Sequence, residues 1–167
     1  MKCVNKKEPE DEVILITPSG VSLKNISIEN VIITDLNGIQ LEGEGKPSSE
    51  LHMHLEIYRR RQDVKAIVHT HSPYAAGFSF SDEKIPRLEG FGEIKETYIK
   101  EVKYAPPGSG ELVTLASGGL KKDDVLILKK HGVVTVGPGL DDAVLLAEFT
   151  ESCAKTGFVI RVLINKD

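Results

Sequence analysis

Residues 48–72 read SSELHMHLEIYRRRQDVKAIVHTHS, and within this one stretch the apolar residues change from helical spacing to β-strand spacing. Leu51, Leu55 and Tyr58 recur every three to four residues. This spacing places them on one face of a helix, so the pattern predicts a helix over residues 48–61. A helix followed closely by an apolar strand is typical of a chain that mixes both kinds of element in one core.

The second half of the stretch, residues 66–71, is apolar and rich in β-formers, and it ends in two histidines separated by one residue. Because side chains i and i+2 of a strand point to the same face, His69 and His71 project side by side, about 6–7 Å apart along the backbone. Ser72-Pro73 then ends the strand and can begin another helix. Two imidazoles at this spacing can converge on one metal ion, although such a pair taken alone is more often structural.

Strand and helix patterns continue on both sides of this stretch. Further strands are predicted over residues 13–17, 31–34, 39–41, 98–104, 125–128, 133–136 and 158–164, and further helices over residues 110–117 and 140–156. The Asn37-Gly38 dipeptide predicts a hairpin between the second and third of these strands. We therefore expect an α/β fold: one domain over residues 1–167, with three αβα layers and a predominantly antiparallel central sheet. The charged residues 1–12 are interpreted as a flexible arm or a truncated N-terminal element.

Composition and charge limit the classes of protein that fit. Of the 167 residues, 40% are hydrophobic and 28% are charged, which is typical of a folded globular chain. The net charge of -4, without a long basic stripe, argues against a nucleic-acid partner, and the arginines at 59–61 are interpreted as a solvated helix end. No apolar run reaches the ~18 residues of a membrane span. Two distant cysteines and the absence of a signal-peptide pattern favour a cytoplasmic protein.

A third ligand for the histidine pair has to come from elsewhere in the chain. His131 is the best candidate, because it follows the predicted buried strand at residues 125–128 and precedes Gly132, which allows close backbone approach. Catalytic zinc sites commonly have three protein ligands and an open position for water or substrate. His54 lies four residues after Glu50 on the same helical stripe, so a hydrogen bond between them, or ligation by His54, is also open.

Four short motifs together resemble the class II aldolase/adducin family, whose best-known members are zinc-dependent sugar-phosphate aldolases. They are ITPSG at residues 16–20, KPSSE at 46–50, VHTHS at 68–72 and KHG at 130–132, and their order and spacing also match. The resemblance implies one zinc ion on His69, His71 and His131, with Glu50 as the catalytic acid/base.

The resemblance also changes how two pairs of small residues are interpreted. Ser48 and Ser49 stand where a helix begins, and by themselves they would be interpreted as N-cap residues. Ser19 and Gly20 would be interpreted as an ordinary turn. A helix N-terminus also favours an anion, through its free N–H groups and dipole. The resemblance implies that all four residues bind the phosphate of the substrate.

The activity that the resemblance implies is cleavage of a ketose 1-phosphate, similar to fuculose 1-phosphate, into dihydroxyacetone phosphate and an aldehyde. A metal-stabilised enediolate would be the intermediate, and the enzyme would be a homotetramer. The tyrosine proton donor of these aldolases has no counterpart near Gly90, where Glu89, Phe91 and Glu93 stand instead. Asn5 also lacks the neighbours of the family's Gly-Asn phosphate motif. A dehydratase, epimerase or decarboxylase of the same superfamily, and a non-catalytic module like the adducin head, therefore remain as alternatives.

Overall fold

The computed structural model describes residues 1–4, 12–88 and 96–164, and these residues form eight strands and four α-helices. The strands are β1 (Lys2–Val4), β2 (Glu12–Ile16), β3 (Ile32–Thr34), β4 (Gln40–Glu42), β5 (Ala66–Thr70), β6 (Glu101–Val102), β7 (Val125–Leu128) and β8 (Gly132–Gly137). The helices are α1 (Leu51–Arg60), α2 (Pro73–Phe80), α3 (Gly110–Gly119) and α4 (Leu140–Ile164). Two single-turn 3₁₀ helices, Leu23–Asn25 and Ile28–Asn30, lie between β2 and β3.

The strands divide into two four-stranded sheets. The first has the order β1-β2-β3-β4, and the second has the order β5-β8-β7-β6. Every neighbouring pair is antiparallel except β6 and β7, which are parallel. The predicted α/β class with mainly antiparallel pairing is therefore confirmed, with the strands shared between two sheets where one central sheet was expected.

Helices cover both faces of the second sheet. Alternate residues of β7 and β8 point to opposite faces, as the pleat of a strand requires. On one face, Leu126, Leu128, Val134 and Val136 pack in a core cluster with residues of α1 and α3. On the other face, Val125, Ile127 and Val133 pack with residues of α2 and α4. The predicted three-layer αβα arrangement follows from this two-sided burial.

The predicted hairpin joins β3 and β4, but its turn is organised by an aspartate. The Asp35 carboxylate accepts hydrogen bonds from the backbone N–H groups of Asn37 (2.9 Å) and Ile39 (2.8 Å). Gly38 has φ +86°, whereas Asn37 does not have a positive φ. The turn therefore uses the left-handed conformation at the glycine alone, and the aspartate replaces the second positive-φ residue that the dipeptide suggested.

The segment at residues 158–164, predicted to be a closing strand, is instead the last part of α4. Its β-branched and aromatic residues favour a strand by propensity, and Gly157 before it is an unfavourable residue inside a helix. Gly157 is needed for close packing: a Cβ built there would lie 2.9 Å from Cδ of Pro86. The helix continues through the glycine because tertiary contact outweighs local preference. The strand prediction at 158–164 was wrong for this reason.

The N-terminal residues also differ from the predicted arm. Lys2–Val4 form β1, which pairs with β2. The buried Lys2 ammonium forms an ion pair with the Glu12 carboxylate at 2.6 Å. Residues 5–11, which include Asn5, lie outside the described residues. The start of the chain is therefore a paired edge strand at the positions that can be described.

Three smaller features complete the fold. Cys3 and Cys153 are free thiols. The arginines at 59–61 pair with nearby carboxylates, those of Glu56, Asp63 and Asp124. Within the described part of the chain, no helix is both long and apolar enough to cross a membrane.

We expect Leu126→Ala to lower the free energy of unfolding by about 2–5 kcal/mol, because it opens a cavity in the core between β7 and α3. Leu126 is completely buried, and its methyl groups lie directly over Gly119. Leu41→Ala, at an exposed position of β4, is the matched control. Urea unfolding measures both variants. A loss for Leu126→Ala no larger than that for Leu41→Ala would contradict the described core.

Candidate metal centre

Three histidines meet at one end of the second sheet. His69 belongs to β5, His71 follows that strand directly, and His131 directly precedes β8. The antiparallel register sets Thr70 opposite Val133, so the end of β5 lies beside the start of β8. The candidate ligand atoms of the three rings all lie within 4.8 Å of one another. The structure thus brings together the three histidines that the sequence singled out.

The turn between β7 and β8 places His131 against β5. Lys130 has φ +57°, and it is the one non-glycine residue with a positive φ in the described part of the chain. Gly132 follows, and a Cβ built on it would lie 2.4 Å from the Thr70 carbonyl oxygen and 2.7 Å from Cδ2 of His71. Only glycine fits there, because any side chain would push the two strands apart.

The ring nitrogens of His69 have distinct roles. Its Nδ1 lies 2.9 Å from the Val133 carbonyl oxygen, which can only accept, so Nδ1 carries the hydrogen and Nε2 keeps its lone pair. That Nε2 lies 3.3 Å from Nε2 of His131. Two nitrogens that bind one tetrahedral zinc at 2.0–2.1 Å are separated by about 3.3–3.4 Å. The spacing of these two rings therefore fits a shared ion.

Burial favours the neutral form of two of these rings. It lowers the pKa of His69 from 6.5 to about 4, against the raising effect of the Val133 carbonyl, and charge on His131 and His71 adds to the lowering. Burial also lowers the pKa of His131, with a further contribution from His71. Neutral imidazole is the form that binds a metal. His69 is therefore ready to bind a cation at neutral pH, and the shift at His131 acts in the same direction.

Glu50 lies immediately before α1 and is its N-cap residue. The helix thus begins three residues later than the predicted start at residue 48. The Glu50 side chain is buried, and its Oε2 has no hydrogen-bond partner among the described residues. Burial raises the pKa of this carboxyl, while a hydrogen bond from the backbone N–H of Gly108 opposes the shift. Glu50 lies outside the three-histidine cluster.

The two predicted phosphate-binding pairs lie in turns that are hydrogen-bonded to each other. Ser48 N–H donates to the Thr17 carbonyl (3.0 Å), and Ser19 N–H donates to the Lys46 carbonyl (2.9 Å). Gly20 follows Ser19 with φ +76°, and the Ser48 hydroxyl accepts from Glu50 N–H at 3.2 Å. The turn at residues 17–20 and the turn at residues 46–49 therefore form one unit just before α1.

A cavity of about 480 Å³ is lined both by residues of this unit and by His69 of the histidine cluster. Its polar lining includes Thr17, Ser48, His54 and His69, and most of its wall is apolar. Burial lowers the pKa of His54 from 6.5 to about 3, and charge on His69 adds to the effect. The hydrogen bond between His54 and Glu50 runs through the backbone, from N–H to carbonyl at 3.2 Å. His54 therefore faces the cavity and is not a member of the metal cluster.

Two contacts of this centre could not be predicted from the sequence. The Val133 carbonyl fixes the His69 tautomer, and the Gly108 amide touches the Glu50 carboxylate. Both are backbone groups that every residue type carries, so only the fold shows where they lie. Gly108 follows two prolines in a turn before α3, which marks a loop but does not show what the loop contacts. The predicted replacement region for the tyrosine, around Gly90, lies outside the described residues.

Comparison with known proteins identifies the family to which the chain belongs. Residues 4–157 match the model of the class II aldolase and adducin N-terminal domain. The L-fuculose phosphate aldolase of Methanococcus vannielii is 41% identical over 151 residues, which cover 90% of this chain and 81% of that protein. A 3-oxo-tetronate 4-phosphate decarboxylase of Haemophilus influenzae is 33% identical over 157 residues, which cover 91% of this chain and 74% of that protein.

A solved structure shares the fold as well as the sequence pattern. An L-fuculose 1-phosphate aldolase superposes with a TM-score of 0.80 at 28% identity, and the match covers 97% of this chain and 75% of that one. The match therefore includes both sheets and all four helices.

We expect Gly132→Ala to weaken metal binding by about 10–100-fold, because its methyl group would collide with the Thr70 carbonyl and the His71 ring. The matched control is Gly118→Ala in α3, where a Cβ meets open space. Calorimetric titration of the metal-free proteins with Zn²⁺ gives the affinities of the two variants and of wild type. Equal affinity for Gly132→Ala and wild type would contradict the described approach of the strands.

We expect the free energy of unfolding of metal-free protein to fall as the pH drops below 6.5. Unfolded His54 takes up a proton near that pH, whereas the folded protein resists protonation until about pH 3. His54→Gln should remove about one proton from the uptake on unfolding, and its stability should depend less on pH between 6.5 and 4. Urea unfolding at several pH values measures this slope. The exposed His52→Gln is the control, and an unchanged slope in His54→Gln would refute the prediction.

Proposed function

Since the chain is a lyase of the class II aldolase and adducin family, we propose that it cleaves a ketose 1-phosphate, similar to L-fuculose 1-phosphate, into dihydroxyacetone phosphate and an aldehyde. The observation that carries this proposal is the cavity that joins Ser48 to His69. Its lining includes Ser48, from the proposed phosphate turns, and His69, from the three-histidine cluster. An aldolase that needs a cation near the reacting carbons of a phosphorylated ketose requires both.

We propose Zn²⁺ as the metal and His69, His71 and His131 as its ligands. Three imidazoles are a known donor set of catalytic zinc, and the 3.3 Å separation of the Nε2 atoms of His69 and His131 fits zinc bond lengths. When bound there, the ion supplies a Lewis acid for the negative charge that develops on the ketose oxygens. The uncharged ligands leave the full double charge of the ion available for this purpose.

We propose that Ser19, Gly20, Ser48 and Ser49 bind the phosphate. The amides of Ser19 and Ser48 already hold the two turns together, so the hydroxyls of the serines and the remaining amides are the groups offered to the ligand. The Ser48 oxygen accepts from Glu50 N–H, which leaves its own hydrogen free to be donated to a phosphate oxygen. The nearby start of α1 adds a favourable dipole.

We propose Glu50 as the group that moves the proton to or from the substrate carbon that becomes a carbanion. Its carboxylate is buried beside the phosphate turns, and burial raises its pKa toward the range in which a carboxyl both takes and gives a proton. The unpartnered Oε2 is available for this transfer. The Gly108 amide holds the carboxylate in place while the proton moves.

A decarboxylase of a phosphorylated 3-oxo acid is the second candidate. The 33% identity to a 3-oxo-tetronate 4-phosphate decarboxylase favours it, because the same cation would stabilise an enolate left by loss of CO₂. Release of CO₂ from a 3-oxo acid phosphate, with no cleavage of ketose 1-phosphates, would select this activity. A non-catalytic module is not retained, since the family match and the relatives establish an enzyme.

Assembly and location remain predictions. A homotetramer and a cytoplasmic location are what the family resemblance and the composition lead us to expect. Sedimentation of the zinc-loaded protein addresses the first of these.

We expect zinc-loaded protein to release dihydroxyacetone phosphate from at least one ketose 1-phosphate in a panel that includes L-fuculose 1-phosphate. Glu50→Gln should lower kcat by about 10²–10⁴ and keep its zinc, because Glu50 acts on the proton and lies outside the metal cluster. His131→Ala should lose the zinc. The exposed Glu44→Gln is the control.

Two results would contradict this proposal. Full activity of Glu50→Gln would remove its assigned role. No release by wild-type protein from any member of the panel would defeat the aldolase assignment for those substrates.

A further inference from the structure

The N-terminus of α2 is capped by a side chain from a distant helix. The Glu151 carboxylate, in α4, accepts hydrogen bonds from the backbone N–H groups of Tyr74 (3.0 Å) and Ala75 (2.8 Å). These partners are separated by 77 and 76 residues in sequence. A carboxylate that accepts two N–H bonds at a helix N-terminus is a strong, charge-assisted cap.

The local residues leave this role open to Glu151. Pro73 is the first residue of α2 and has no N–H group. The N–H of Ala76 is bonded to the Ser72 carbonyl at 2.8 Å. The Ser72 hydroxyl, in the usual capping position, makes no cap bond. Glu151 therefore accepts from the two remaining N–H donors of the first turn, those of Tyr74 and Ala75. A side chain from α4, and not Ser72, thus caps α2.

This cap lies next to a proposed metal ligand. His71 stands in the short link between the last residue of β5, Thr70, and the first residue of α2, Pro73. Its side chain is exposed and its backbone lies beyond the strand pairing, which ends at Thr70 and Val133. The link is thus held by the sheet on one side and by the start of α2 on the other. Glu151 fixes that second side.

We infer that Glu151 is a positioning residue for the metal centre: by capping α2 it holds the link that carries His71 at the distance that a shared ion requires. The inference rests on the proposed metal site. It goes further in naming α4 as the element that controls one ligand. α4 is suited to this task because it packs on α2, β5 and β8, the elements around the three histidines.

A cap that only stabilises the fold would behave differently from one that positions His71. Loss of a cap lowers stability wherever it occurs. A group that orients a metal ligand also lowers metal affinity, typically about 10–100-fold. The second effect should disappear when the ligand itself is removed, whereas a general loss of stability should persist.

The test is a double-mutant cycle between Glu151 and His71. Co²⁺ is titrated into each metal-free protein, and its binding is detected by visible absorption. Glu151→Gln should weaken Co²⁺ binding about 10–100-fold and change the absorption bands, because an NH2 group replaces one of the two oxygens that accept these bonds. Glu151→Asp, which keeps the charge, should recover part of the affinity. In a His71→Ala background, Glu151→Gln should change the affinity little further. The exposed Glu148→Gln in α4 is the charge-matched control.

Failure of the inference about Glu151 can be distinguished from failure of the proposed metal site. If wild type binds Co²⁺ and Glu151→Gln binds it equally well with the same spectrum, the inference is overturned and the metal site stands. If Glu151→Gln weakens binding by the same factor with and without His71, its effect is general and the inference is again overturned. If wild type binds neither Co²⁺ nor Zn²⁺, the proposed metal site fails first, and the inference fails with it.

Discussion

The close antiparallel contact between the end of β5 and the start of β8 is the constraint on which the site depends. It requires a glycine at position 132, since a Cβ there would lie 2.4 Å from the Thr70 carbonyl oxygen. With the strands this close, His131 reaches His69 across the ladder, and the Val133 carbonyl sets the tautomer of His69. This backbone approach therefore determines both the spacing of the His69 and His131 rings and which nitrogen His69 offers.

The ends of the helices contribute the parts of the centre that lie outside the strands. α1 begins at a turn that is hydrogen-bonded to the turn following β2, so the first sheet contributes Ser19 and Gly20 beside Ser48. α4 lies on the other face of the second sheet and caps α2 through Glu151. Elements from both ends of the sequence thus converge on the sheet end that holds the histidines, which explains why no short segment of the chain contains the site.

Structural features with a local sequence pattern were predicted correctly. The predictions failed where contacts between distant parts of the chain determine the structure. The helical spacing of Leu51, Leu55 and Tyr58 and the His-x-His strand end are local patterns, and both elements are present in the structure. The three-layer fold followed from alternating patterns in the same way. The strand expected at 158–164 failed because Gly157 serves packing against Pro86 and does not end α4. The hydrogen bonds between Glu151 and α2 join residues more than seventy positions apart, and no periodic pattern in the sequence indicates them.

Burial affects the ionisable side chains of this centre in a common way. It lowers the pKa of His54, His69 and His131, and it raises that of Glu50, so the charged form is disfavoured for each of these groups. A cavity with a mostly apolar wall and few fixed charges is poorly screened by water, so charges brought into it interact strongly. A divalent cation and a phosphate would then be the dominant charges, and each would favour the binding of the other. Under the proposed function, the fold would supply the geometry and an apolar surrounding, while the bound ion and the substrate phosphate would supply the charges.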